Sequence, residues 1–372
     1  MQLINILLLL AGAHKVLGKF SSSSNNNVAV YWGQNSGNNE PKSNDPTFTT
    51  QNRLGTYCTS DAAKDVNIFI ISFVIGFSDG KPQLNLANQC NAEKCTIDGT
   101  NVIKAPEVEE DIGTCRDAGK TVLLSIGGDV FTDPNWTEDS ATAAANQIIA
   151  MYGPTTKTRR RGSTATATGA AAGATGVVRP FGDAVVDGID IDFETPIAHA
   201  DTFAKTLREK FGLLSAAPQC PFPDANMGTA LTTVRFDFLN IQFYNNECAA
   251  ARTGDKAAPA MRKWNDWAAG KDTTNPSPNT EIKLLLGVPG GSKHSQKDYA
   301  APSALGTVLG EIGGLSNFGG VMIWDASQAW TNPADANFVK DVTSKLVGIA
   351  SASGSPAASA TGAPAASSSA AP

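Results

Sequence analysis

The stretch Val185-Val186-Asp187-Gly188-Ile189-Asp190-Ile191-Asp192-Phe193-Glu194 decides how this chain is read. Its β-branched residues favour a strand, and on a strand successive side chains point to opposite faces. Ile189, Ile191 and Phe193 then share an apolar face. Asp190, Asp192 and Glu194 share the other. Two buried faces, one of them acidic, suit a parallel strand covered by helices on one side and facing a barrel interior on the other. Seven further runs have the same character: Val28–Gly33, Val66–Gly76, Thr121–Gly128, Leu213–Cys220, Phe238–Asn245, Lys283–Pro289 and Gly319–Trp324. Helical patterns lie between most of them, clearest at 106–120, 138–152, 198–211 and 258–269. Eight strands alternating with helices predict an α/β protein, a (β/α)8 TIM barrel.

The acidic row carries the chemistry. Buried unpaired charges cost several kcal/mol each, and like charges at this spacing raise one another's pKa. The three carboxyls are expected to titrate as a coupled set that keeps a proton at neutral pH. Glu194 is last, at the C-terminal end of the strand, which in a barrel is the active-site face. It is the candidate general acid. Three readings compete: a glycosidase acid system, a divalent-metal site, and a structural hydrogen-bonded network. A metal site usually draws carboxylates from several strands, often with a histidine, and the chain has only 3 histidines. No metal and no cofactor is expected.

Composition bounds the rest. The 372 residues carry a net charge of −6, which argues against a general affinity for nucleic acid or anionic membranes. The apolar run at 3–13 is too short to span a bilayer and fits a secretory signal, with cleavage after Ala13 or Gly18. Residues 351–372 hold 9 Ala, 7 Ser and 3 Pro. With so little to bury, they read as a disordered, stalk-like tail. Residues 155–177, with three arginines before a Gly/Ala/Thr tract, read as a mobile surface insertion. The expected division is therefore a signal peptide at 1–18, a barrel domain at 27–348 and a tail at 349–372. Six cysteines behind a signal imply disulfides, and 15 connectivities are open. The absence of a CxxC pair speaks against zinc. Asn135-Trp136-Thr137 is an N-glycosylation sequon.

Asp187–Glu194 matches D-G-x-D-x-D-x-E, and the chain thereby resembles the family-18 glycoside hydrolases. Ser125-Ile126-Gly127-Gly128 is similar to that family's S-x-G-G. Tyr31–Asn35, Ala216–Pro221, Gln242–Asn246 and Gly320–Trp324 resemble the hevamine-type, class III chitinases of plants and fungi. The likeness runs from about Val28 to Val347, outside the insertion.

The resemblance implies an endochitinase that works by substrate-assisted retention; the signal adds the expectation of secretion, and a monomer is expected. Glu194 would protonate the glycosidic oxygen while the substrate's own acetamide attacks the anomeric carbon. Asp192 would orient the acetamide, Asp190 would tune the shared proton, and Tyr244 would hold the acetamide oxygen. Trp324 would floor the cleft, with Phe73, Gly128, Gln34, Asn85, Gln242 and Asn245 completing the substrate-binding set. The resemblance also implies the pairs Cys58–Cys115, Cys90–Cys95 and Cys220–Cys248, and cis peptides at Ser72-Phe73 and Trp324-Asp325. The partner would be chitin or its oligosaccharides, and the setting extracellular or at a cell wall. Two alternatives use the same barrel: a carbohydrate-binding or inhibitory protein, and an endo-β-N-acetylglucosaminidase. Binding-only members of the lineage tend to lose the acid, whereas this chain has Glu194, Asp192 and Tyr244. One departure is the short link 208–212, from which a truncated or strained fifth strand is expected.

Overall fold

Eight aliphatic runs pair in parallel and close on themselves. In a computed structural model describing residues 19–37, 50–97, 102–155, 176–251, 256–272, 274–292, 297–332 and 334–353, the barrel strands are β1 (Asn27–Trp32), β2 (Ile68–Ser78), β3 (Thr121–Gly127), β4 (Gly188–Asp192), β5 (Leu213–Ala216), β6 (Phe238–Gln242), β7 (Lys283–Pro289) and β8 (Phe318–Trp324). Each pairs with the next, and β8 pairs with β1 to complete the ring. The expected signal, almost all of the insertion and residues 354–372 of the tail lie outside the described residues, while residues 349–353, expected to open the disordered tail, continue the last helix, Phe338–Ser353.

Helices connect the strands: α1 (Leu54–Thr59), α2 (Pro106–Asp117), α3 (Glu138–Tyr152), α4 (Ala200–Arg208), α5 (Gly228–Thr233), α6 (Ala257–Ala268), α7 (Pro302–Ile312), α8 (Ala326–Thr331) and α9 (Phe338–Ser353). Local chemistry sets several of their ends. Pro106 and Pro302 open α2 and α7, where a missing N–H costs nothing. Thr137 and Ser140 form a reciprocal capping box at the start of α3. Two antiparallel additions lie outside the parallel pattern. Residues 81–84 fold back on the end of β2, and 96–97 pair with 103–104.

Side-chain alternation divides the apolar residues into two cores. Val28, Val30, Trp32, Ile189, Ile191 and Phe193 point outward under the helices. Ala29, Tyr31, Ile68, Ile70, Leu123, Phe238, Leu285 and Met322 fill the barrel itself. Phe20 closes the barrel's N-terminal end. Its ring lies 4.7 Å from that of Phe238, and its amide donates to Thr121 Oγ1 at 3.0 Å. Both expected cleavage points leave Phe20 in the chain.

The fifth strand is indeed short, four residues rather than the eight expected. Pro218 lacks an amide proton, so regular pairing ends before it. The strand is not out of place, however. Gly188–Ile191 pair in register with Leu213–Ala216. The short link before it is tied down by Arg208, which donates to the carbonyls of Phe211 (2.9 Å) and Gly212 (2.8 Å) and pairs with Asp237. Strand β4 starts at Gly188 rather than Val185. Asp187, just before it, is held by Arg116 at 3.1 Å and by the Val122 amide at 2.9 Å. The first acid of the motif is thus an anchor at the entry of the strand.

The disulfides are Cys58–Cys115, Cys90–Cys95 and Cys220–Cys248, the three pairs implied by the resemblance. The peptides Ser72-Phe73 and Trp324-Asp325 are cis, again as implied. Among the described residues no helix is long and apolar enough to cross a membrane.

Candidate active site

Asp190 sits at the barrel centre with no exposed surface. Its register neighbours on β3 and β5 are Ser125 and Ser215. Ser125 Oγ donates to its Oδ2 at 2.7 Å, and Ser215 Oγ to its Oδ1 at 2.6 Å. Tyr31 Oη from β1 donates to Oδ2 at 2.7 Å, and Asn240 Nδ2 from β6 to Oδ1 at 3.1 Å. Four strands therefore converge on one carboxyl. Burial pushes its pKa up, and the four donors partly offset that rise.

One layer higher stands Asp192. Gln242 Nε2 donates to its Oδ1 at 2.8 Å and to the Ala217 carbonyl at 3.0 Å. Burial holds the Asp192 carboxyl well above the usual range, and the charges of Glu194, Asp190 and Asp129 add to the rise. Glu194, just beyond the end of β4, is partly exposed. Burial raises its pKa, the Gln242 amide pulls it back, and Asp129 raises it again. Tyr244 is buried, and its phenol is held well above its ordinary pKa by burial and by the charges of Asp192 and Glu194. It therefore stays a hydrogen-bond donor.

These groups open into a cavity of about 260 Å³ at the C-terminal end of the barrel. Phe73 and Trp324 make one wall, their rings stacked 5.7 Å apart. Gln34, Gly128, Gln242 and Asn245 also line it. The glycine pair has a steric cause. A Cβ on Gly127 (φ +133°) would lie 2.0 Å from the Asp192 carbonyl oxygen, and one on Gly128 (φ +89°) would lie 3.0 Å from the Phe73 ring. Gly127 lets β3 press against the acidic strand, and Gly128 leaves room for the Phe73 ring.

Asn85 does not join the lining. Its Oδ1 accepts from the Ala87 amide within its own turn, and the residue is not among those that line the cavity. Its carbonyl instead accepts from Gln34 Nε2 at 3.2 Å, so it acts by placing Gln34. Asn135 is exposed in the loop between β3 and α3, as its sequon requires. Sequence reasoning missed Asp129, Ser36 and Pro289 in the lining. It also missed the roles of Tyr31, Ser125, Ser215 and Asn240. Their inward strand parity was the available signal. Among the described residues no cluster of His, Cys, Asp and Glu has the arrangement of a metal site.

A closed parallel barrel, with buried carboxyls rising from its centre to an aromatic-walled cleft at the C-terminal face, defines a protein of the glycoside-hydrolase class. Residues 27–305 match the family "Glycosyl hydrolases family 18", and the chain belongs to that family. It is 37% identical over 338 residues to "Endochitinase 33" of Trichoderma harzianum, covering 87% of this chain and 94% of that one. It is 38% identical to "Chitinase 1" of Rhizopus niveus over 90% of this chain, and spans 60% of that protein's length. Among solved structures, the ICChI chitinase from Ipomoea carnea shares the fold, with a TM-score of 0.62 and 24% identity over 86% of this chain and 99% of that one.

Proposed function

We propose that this chain is an endochitinase that cleaves β-1,4-linked N-acetylglucosamine polymers with retention. The observation that carries the reading is the stepped row Asp190–Asp192–Glu194, buried at its base and open to the cleft at its top. Relatives aligned over 94% of their own length bear chitinase names, which supports chitin as the substrate.

In this reading Glu194 gives its proton to the glycosidic oxygen as the C1–O bond breaks. The substrate's acetamide oxygen attacks C1 from the opposite face and forms an oxazolinium ion. A bound internal nucleophile has a high effective molarity, so no enzyme nucleophile is required. Asp192 accepts from the acetamide N–H and balances the positive charge. Tyr244 donates to the acetamide oxygen and holds it for attack. Water then adds at C1, and the Glu194 carboxylate takes its proton. Asp190 anchors the row and holds the proton that Asp192 gives up. Trp324 presents its ring to the sugar in the subsite where the reaction occurs.

The division into a signal at 1–18, one catalytic domain at 27–348 and a tail at 349–372 belongs to the same proposal. So do action as a monomer, and secretion with retention near a cell wall. Three disulfides support an oxidising, extracellular setting.

The test is hydrolysis of a chitin hexasaccharide by the wild type beside Glu194→Gln, with products read by mass spectrometry. Internal cleavage that vanishes in the variant is the expected result. No cleavage by a folded wild type overturns the reading and leaves a sugar-binding protein.

A further inference from the structure

The cleft carries an acid that the proposed chemistry does not use. Asp129 follows Gly128 directly at the end of β3, is exposed, and lines the same cavity as Asp192 and Glu194. Among the described residues, no hydrogen bond or ion pair occupies its carboxylate, and no lysine, arginine or histidine lines the cavity. The cleft's suitability for sugar does not depend on Asp129. It stands on the wall made by Phe73 and Trp324 and on the acidic row.

An anionic cleft with a free carboxylate at its edge discriminates among sugars by charge. An N-acetylglucosamine unit is neutral. The same unit without its acetyl group carries an ammonium at C2 in mildly acidic solution, where a protonated Glu194 also works. The reacting sugar must keep its acetamide, because that group supplies the nucleophile. Its neighbours need not.

We propose that Asp129 is a specificity residue, which makes the cleft favour partly de-N-acetylated chitin with glucosamine units beside the reacting N-acetylglucosamine. The inference rests on the hydrolase reading above and names a substrate class within it. The charge of Asp129 is felt by both Asp192 and Glu194, in keeping with a place beside the reacting groups. A carboxylate and an ammonium in contact at the edge of bulk water give a preference of about three- to tenfold. Salt weakens it, because the Debye length falls from about 30 Å at 0.01 M to about 3 Å at 1 M.

The experiment compares kcat/KM on two oligosaccharides of equal length, one fully N-acetylated and one lacking a single acetyl group at a defined position. The ratio of cationic to neutral substrate is measured for wild type and Asp129→Asn, at low and high salt, over the set of positions. For at least one position the wild-type ratio is expected to exceed that of the variant by about three- to tenfold at low salt and to converge with it at high salt. Any change that Asp129→Asn makes in the protonation of Glu194 acts on both substrates alike and cancels in the ratio. Equal ratios in wild type and variant at every position overturn the proposal and make Asp129 a solvated side chain only.

Binding separates this proposal from the hydrolase reading. Affinities of both oligosaccharides are measured by calorimetry for Glu194→Gln, with and without Asp129→Asn. If neither substrate is cleaved by the wild type, the hydrolase reading fails. The affinity ratio still decides: a drop on adding Asp129→Asn supports the specificity role, and an unchanged ratio overturns it.

Discussion

Tyr31 on the first strand and Asp190 on the fourth meet across the barrel, with Tyr31 Oη donating to Asp190 Oδ2 at 2.7 Å. The bond joins residues 159 positions apart in the chain. It makes the base of the acidic row part of the barrel's closure. Tyr31→Phe keeps the ring and removes the donor. A hydrogen bond to a buried carboxylate contributes roughly 1.5–3 kcal/mol, and that loss is expected in urea unfolding at pH 7. Ser125→Ala and Ser215→Ala are expected to cost similar amounts. Unchanged stability in all three would mean that Asp190 does not need these donors.

Glu194 is the proton donor of the proposed reaction, and burial raises its pKa above the ordinary glutamate range. The rate should hold through mildly acidic pH and then fall about tenfold per unit once the acid ionises. Asp129 raises that pKa and Gln242 lowers it. Asp129→Asn should therefore move the falling limb to lower pH, and Gln242→Leu should move it to higher pH. Profiles of kcat/KM from pH 4 to 9 check both, read by the position of the limb rather than its height. Limbs that coincide would remove both residues from the control of Glu194.

The same burial makes the row a cost to stability. Asp190, Asp192 and Glu194 all bind their protons more tightly in the folded chain than an unfolded one would. From the ordinary carboxylate range, near about 4, up to the raised folded values, the native state holds the excess of protons. Their contribution to stability therefore falls as pH rises through that window. Below it, both states are protonated and the cost vanishes. Glu194→Gln, neutral and nearly isosteric, should melt a few degrees above wild type at pH 8 and together with it near pH 4. Equal melting temperatures at pH 8 would contradict the assigned shift.

Gly127 and Gly128 separate folding from substrate binding. Alanine at Gly127 places a Cβ 2.0 Å from backbone of the acidic strand, at φ +133°. Nothing there can yield cheaply, so Gly127→Ala should cost more than about 4 kcal/mol and sharply reduce the yield of folded protein. Alanine at Gly128 has the Phe73 ring, a side chain that can shift, as its nearest neighbour at 3.0 Å, and φ +89° adds backbone strain. Gly128→Ala should fold at a cost of about 1–3 kcal/mol and raise KM, since the displaced ring walls the cleft. Circular dichroism melts and steady-state kinetics distinguish the two outcomes.

Much of this arrangement is legible in the sequence. The inward parity of Asp190, Asp192 and Glu194 follows from a period of two, and the structure keeps it. The alternation of aliphatic runs with helical patterns predicts eight strands that start within three residues of those found, whereas the fifth and sixth end four and three residues earlier than expected. The short helices α1, α5 and α8 left little trace, because six residues cover less than two turns. Asn85 reads as a sugar-binding amide in the sequence, yet its side chain closes a turn. Asx turns of that kind are made by the same atoms that would bind a sugar, so the residue type does not distinguish them.

Taken alone, the sequence determined what is local: which residues form strands, which face each side chain takes, and which acid stands last on the row. These follow from backbone geometry within a few residues. Only the tertiary structure decided what surrounds those acids. Ser125 and Ser215 flank Asp190 because three strands share one register. Tyr31 and Asn240 reach it because the ring closes, and Asp129 shares its cavity with Glu194 because β3 lies beside β4. Register and closure are set by pairing between distant segments, a property of the whole barrel that no single stretch encodes.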